Sequence, residues 1–142
     1  MMEKEKQLLL KDLCSRLPYG VLCDFVYNIG HPQKLLSISL HKKYQIHLDS
    51  DEYVFDSGKS YGPSDTIVDD IKPYLRPMSS MTEEERADYH FYCETVWDSG
   101  EESYYHYDTF KSIDWLNEHH FDYRGLIPMG LALEAPDDMY KQ

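Results

Sequence analysis

Leu9, Leu10, Leu13, Cys14 and Leu17 recur at intervals of three and four residues, while Lys4, Lys11 and Asp12 fall largely off that stripe. This is the spacing of one apolar helix face, and it predicts a helix over 3–16 that Pro18 stops. The period then changes to two. Val21, Cys23, Phe25 and Tyr27 alternate over 20–27, with Leu22 and Val26 sharing the other face with Asp24. Leu36, Ile38 and Leu40 alternate with Ser37, Ser39 and His41 over 34–41, and Tyr44, Ile46 and Leu48 with Gln45, His47 and Asp49 over 44–49. Turn chemistry from Asn28 to Pro32 and the Lys42-Lys43 pair separate these runs. They predict an antiparallel meander with one solvated face, to which 53–56 adds a short fourth strand.

The second half is more broken. Residues 56–65 form a Gly/Ser/Pro loop. Ile67, Val68 and Ile71 suit a short helix that Pro73 would end, so 66–75 stays ambiguous, and 76–81 reads as an extended linker. Thr82-x-x-Glu85 is a capping box with Glu83, Glu84 and Glu85 in the first turn, predicting a helix over 82–95. Residues 97–107, with Gly100 among them, read as irregular. Asp108 or Thr109 can cap a helix to about His119, with Phe110, Ile113, Trp115 and Leu116 apolar. Asp122 can cap a short helix over 123–129 that Gly130 ends. A terminal strand over 131–133 and a frayed acidic tail over 135–142 complete the chain. The expected class is therefore α+β: an N-terminal helix, a meander of three to four strands, then two to three helices packed on one face of the sheet, in a single domain, 1–142.

Charge narrows the partners. There are 26 acidic residues against 14 basic ones, for a net charge of −12. Phosphate recognition needs clustered Lys and Arg, and these are scattered, so generic binding of nucleic acid or anionic membrane is disfavoured against a basic protein partner. Three cysteines without a Cys-x-x-Cys give neither a disulfide framework nor a zinc knuckle; Cys14, Cys23 and Cys93 read as buried free thiols of a reducing compartment. The Leu8-Leu9-Leu10 run is too short for a signal peptide and nothing approaches a membrane span, so the cytoplasm is the expected location.

Catalytic patterns each lack a member. Gly58-Lys59-Ser60 resembles the end of a phosphate-binding loop, but Tyr53 stands where that loop needs glycine and Gly62-Pro63 follows where it needs a helix. No nucleophile-elbow motif, cofactor motif or metal-ligand spacing occurs, so no catalytic residue, cofactor or metal site is assigned. Among the histidines, His41 and His47 can share a sheet face, and His119-His120 are adjacent. They are the residues a small hydrolase or metal-dependent enzyme would use, the alternative to a binding role. The densest unusual segment is Tyr104-Tyr105-His106-Tyr107-Asp108, preceded by Glu101-Glu102. Tyrosine enriches protein interfaces, and carboxylates steer a basic partner, so these seven residues are the candidate partner-binding site.

Two strings carry a resemblance. One runs from Lys72-Pro73-Tyr74-Leu75-Arg76-Pro77 to Glu83-Glu84-Glu85; the other is Asp114-Trp115-Leu116-Asn117-Glu118-His119-His120-Phe121-Asp122-Tyr123-Arg124-Gly125, continuing to Ala132. Together they resemble an uncharacterised family of small proteins from phages and mobile elements of gut anaerobes. The resemblance implies a cytoplasmic setting and a mobile-element origin, and it carries over no catalytic residues. Physically the second string reads as a docking motif that closes the core, with Tyr123, Leu126 and Ile127 packing.

Overall fold

The computed structural model describes residues 2–25, 30–39, 52–55, 60–61, 70–91, 93–98, 101–106 and 109–140. The first helix, α1, spans Glu3–Arg16. Leu9 and Leu13 are fully buried, as their spacing requires, but the buried face is rotated from the expected one. Cys14 is exposed, whereas Asp12 and Arg16 are both 0% exposed. An ion pair one turn apart explains this: Arg16 Nε lies 2.8 Å from Asp12 Oδ2, so two charges enter the interior already paired.

The strands and later helices follow as β1 (Leu22–Phe25), β2 (Gln33–Ser39), β3 (Glu52–Phe55), β4 (Ser60–Tyr61), β5 (Ile71–Leu75), α2 (Glu83–Phe91), β6 (Cys93–Asp98), β7 (Glu101–His106), α3 (Thr109–Glu118) and β8 (Leu133–Glu134). The fold is α+β. One sheet has the order β4-β3-β2-β1-β5-β8, and β6 pairs with β7 separately. Strands β1 to β4 pair antiparallel in chain order, but β3 is the run expected as the fourth strand, β4 falls in the expected 56–65 loop, and the sheet as a whole is mixed rather than an antiparallel meander. The chain returns at β5 to the free edge of β1, antiparallel to it, and β8 then adds parallel to β5. Ile71, Pro73 and Leu75 are buried at alternate positions, so strand period wins over the helical reading of this stretch. Residues 40–51, which hold the third alternating run, and 56–59 of the glycine-lysine loop lie outside the described residues.

A bulge corrects the face assignment in β2. Leu35 pairs with Phe55 and Ser37 with Val54, so two residues of β2 oppose one of β3. The extra residue shifts the alternation by one. Leu35 is buried and Ile38 packs on the same core, while Leu36, expected inside, is 52% exposed.

The second half departs most from expectation. Helix α2 ends at Phe91, and 93–106 form a hairpin where a helix end and an irregular stretch were expected. The segment is rich in Thr, Val, Trp and Tyr, whose ring or branched side chains favour a pleated surface. Phe110, expected in the apolar set of α3, is 85% exposed, while Trp115 and Leu116 pack with Phe121. The short helix over 123–129 is instead a series of turns. Asp122 still caps it, accepting from the Leu126 and Ile127 amides at 2.8 and 2.9 Å. Gly130, at φ +76, closes the turn as a left-handed residue.

The segment from Ala135 to Tyr140 is docked, not frayed. Ala135 donates from its amide to the Leu75 carbonyl at 2.8 Å. The β1–β5 register pairs Cys23 with Pro73 and so would pair Leu22 with Tyr74 next. At that rung the Tyr140 hydroxyl intervenes: it accepts from the Leu22 amide at 2.9 Å and donates to the Tyr74 carbonyl at 2.7 Å. Burial pushes the phenol's pKa up, so it stays a donor. Tyr140→Phe leaves both backbone groups short of a partner and is expected to cost about 2 kcal/mol. The check is a urea midpoint lower by roughly 1 M with an unchanged slope.

Candidate functional site

The two strings that carry the resemblance meet in space. Arg76 at the end of β5 and Phe121 form a parallel bridge, with the Arg76 amide donating to the His120 carbonyl and the Asp122 amide to the Arg76 carbonyl, both at 2.8 Å. The Arg76 guanidinium lies 4.2 Å from the Phe121 ring centroid and grips Glu85 with two hydrogen bonds, at 2.7 and 2.6 Å. The same Glu85 carboxylate accepts from the Thr82 amide, while Thr82 Oγ1 accepts from the Glu85 amide. The capping box of α2 is thus part of the joint. Hydrogen bonds from Arg76, with those of Thr82, hold the Glu85 carboxyl down at about 2 against its partial burial.

Helix α3 ends in a Schellman turn. The Phe121 amide donates to the Leu116 carbonyl and the His120 amide to that of Asn117. The position that favours glycine holds His120, at φ +63, a conformation rarely adopted by a residue with a Cβ. Its ring is 7% exposed and stacks on Tyr140, with centroids 3.7 Å apart. Nδ1 is buried without a hydrogen-bond partner. Burial, with Arg16, His119 and Arg76 nearby, lowers the pKa to about 4, so the ring is neutral at neutral pH. His119 turns the other way, stacking on Trp115 at 4.0 Å with Nδ1 2.8 Å from the Trp115 carbonyl oxygen.

Beside this joint lies an open groove of about 980 Å³. Its lining is apolar at Leu17, Pro18, Leu35 and the exposed Leu36, and charged at Lys34, Glu118, Asp137 and the paired Arg76 and Glu85. Tyr19 lines it as well. Its phenol pKa is pushed up by partial burial and then by the carboxylates of Asp114 and Glu118, which sit one turn apart on α3. Gly20 is left-handed at φ +72, a conformation that favours glycine, and the Lys34 stem runs beside it, where a Cβ would make only ordinary contact with Lys34 Cε at 3.5 Å.

The residues singled out from the sequence distribute differently. Glu101, Glu102, Tyr104, Tyr105 and His106 lie on β7, while Tyr107 and Asp108 fall outside the described residues. His41 and His47 also lie outside the described residues. His119 and His120 diverge onto different rings, and no three potential metal ligands converge among the described residues. The groove was missed because its walls come from five separate segments. The bulge that exposes Leu36 leaves no mark in the alternation. Comparison with protein-family models, curated proteins and solved structures finds no match. None of the described helices is long and apolar enough to cross a membrane.

Proposed function

We propose that this chain is a non-enzymatic, acidic protein-interaction domain for a basic partner. The observation that carries the reading is an open groove lined by Leu17, Pro18 and the exposed Leu36 and by Glu118 and Asp137 beside Lys34, on a chain of net charge −12. Complementary charge speeds encounter and fixes register, and exposed apolar area supplies affinity. Strand β7 carries Glu101, Glu102, Tyr104, Tyr105 and His106, residue types that suit the same kind of partner. The resemblance supplies a setting: a phage or mobile-element protein acting on a host protein in the cytoplasm. In a capture experiment from bacterial lysate, immobilised protein is expected to retain basic proteins that elute as salt rises towards about 0.5 M. Retention that ignores salt, or none above background, would sink the reading. Tyr104→Ala, Tyr105→Ala and Tyr107→Ala report on the hairpin's share.

A second reading has one observation in its favour. His120 is buried, strained and unpartnered at Nδ1 within the groove lining, features that gather at catalytic sites. A small hydrolase or metal-dependent enzyme would use it. Elemental analysis of the purified protein tests the metal version; a stoichiometric ion would displace the binding reading.

A further inference from the structure

We infer that residues 136–140 form a latch over a tyrosine-recognising socket: Tyr140 fills it in the closed state, and release of the segment opens it to a tyrosine of a partner protein without unfolding the sheet. The inference goes beyond the interaction-domain reading and does not depend on what occupies the groove. Three groups define the socket. The His120 ring stacks on Tyr140 with centroids 3.7 Å apart and 17° between the planes. The Leu22 amide donates to the hydroxyl at 2.9 Å, and the Tyr74 carbonyl accepts from it at 2.7 Å. Together they match an aromatic ring whose hydroxyl both accepts and donates; phenylalanine can do neither, and tryptophan only donates. All three groups are held by the rest of the fold. Leu22 and Tyr74 belong to β1 and β5, and the His120 backbone bonds to Asn117 and Arg76. The socket therefore keeps its shape when the segment leaves.

The segment itself is held more sparingly. After Ala135, whose amide bonds to the Leu75 carbonyl, Pro136, Asp137 and Asp138 are exposed, and the Met139 amide turns back to the Pro136 carbonyl. Among the described residues, the hydrogen bonds that tie 136–140 to the sheet run through the Tyr140 hydroxyl. Exposed backbone with one side-chain anchor is the make-up of a unit that opens at lower free energy than the core. The closed state also carries a cost, because His120 sits at φ +63 with Nδ1 buried and unpartnered. Release uncovers the ring and gives that nitrogen access to water, which offsets part of the cost of opening.

Hydrogen exchange and ligand rescue test the two halves on the full chain. The Leu22 amide, bonded to Tyr140, should exchange at least about tenfold faster than the Leu35 amide, bonded to the Val21 carbonyl. Its rate should rise little with urea, because opening the latch exposes little surface. Tyr140→Gly should fold with its sheet intact and its socket empty. Millimolar p-cresol should then raise the melting temperature of Tyr140→Gly by about 3 °C, and toluene by under about 1 °C, since toluene brings the ring without the hydroxyl. The NMR signals of the Leu22 amide and the His120 ring should move with p-cresol. Equal exchange of the two amides, or loss of the folded sheet in Tyr140→Gly, would show that 136–140 belongs to the cooperative core and is no latch. Equal rescue by toluene, or rescue by neither compound, would show that the socket does not recognise a phenol and would overturn the inference. Each of these failures leaves the basic-partner reading where it stands, because that reading is tested by salt-dependent capture.

Discussion

Asp12→Ala is expected to lower the unfolding free energy by about 3–5 kcal/mol, the cost of leaving a buried charge without its counter-ion. Asp12 is the centre of a network that ties the N-terminal helix to the C-terminal string. Its Oδ2 accepts from Arg16 Nε at 2.8 Å and its Oδ1 from Arg124 Nε at 3.1 Å. Arg16 also donates from Nη2 to the Phe121 carbonyl at 2.6 Å. Arg124 continues outward to Ser15 Oγ and to the Tyr123 hydroxyl, which donates to Asn117 Oδ1. Without Asp12, Arg124 can turn to water, being 17% exposed, but Arg16 cannot, being fully buried. Its Nη1 already lacks a hydrogen-bond partner, so the guanidinium has little to fall back on. At roughly 3 °C per kcal/mol, the melting temperature should fall by about 10–15 °C. Asp12→Leu combined with Arg16→Met removes both members of the buried pair and is expected to retain more stability than Asp12→Ala. A loss under about 1 kcal/mol for Asp12→Ala would mean that Arg16 is solvated in solution and that the buried network is not as described.

The same network shows how far the sequence could be read. Leu9 and Leu13 were legible from spacing, and so were the capping box of α2, the α3 helix and the turn at Gly130. These are local features, whose causes lie within one turn or one strand. Asp12 was not legible: a carboxylate beside an apolar stripe is solvated by default, and although Arg16 lies one turn on, the groups that meet the pair inside, the Phe121 carbonyl and Arg124, are more than a hundred residues away. Ile71–Leu75 failed for a similar reason. Pro73 argues against a helix and against a central strand alike, and the choice was made by the free edge of β1. The hairpin over 93–106 was missed because its start was absorbed into a strongly capped helix. The groove was invisible as a unit. The candidate site taken from the sequence was the aromatic run at 104–107, because proximity along the chain was the only proximity available. In the fold, Tyr19, Leu36, Glu118 and Asp137 gather from distant segments to line one groove.

Stability should also fall as the solution is acidified from about pH 6.5 to about pH 4, by roughly 3 kcal/mol from His120 alone. In the unfolded chain this imidazole takes its proton near 6.5; in the folded chain it does so only at about 4. Above the upper value both states hold it neutral and it contributes no pH dependence. Between the two, the unfolded chain binds a proton that the folded chain refuses, so the equilibrium moves towards unfolding by about 1.4 kcal/mol per pH unit. Burial refuses the proton first, then the charges that face the ring: Arg16 from α1, His119 beside it and Arg76 from the end of β5. Glu85 is also held low, at about 2, but its stabilisation is fully present above its ordinary 4.5 and is lost only as the pH falls from there towards 2. The two windows therefore barely overlap. Urea unfolding at pH 7, 6, 5 and 4 gives the slope. His120→Asn should flatten it by one proton, since asparagine tolerates the left-handed backbone and does not titrate. A wild-type slope equal to that of His120→Asn would show that His120 titrates as in the unfolded chain, and hence that the stack on Tyr140 is open to water. The consequence reaches the groove, because Tyr140 carries the segment that holds Asp137. In the folded chain His120 takes its proton only near 4, so affinity for a groove ligand should hold through the window in which stability falls and decline only as the pH approaches about 4.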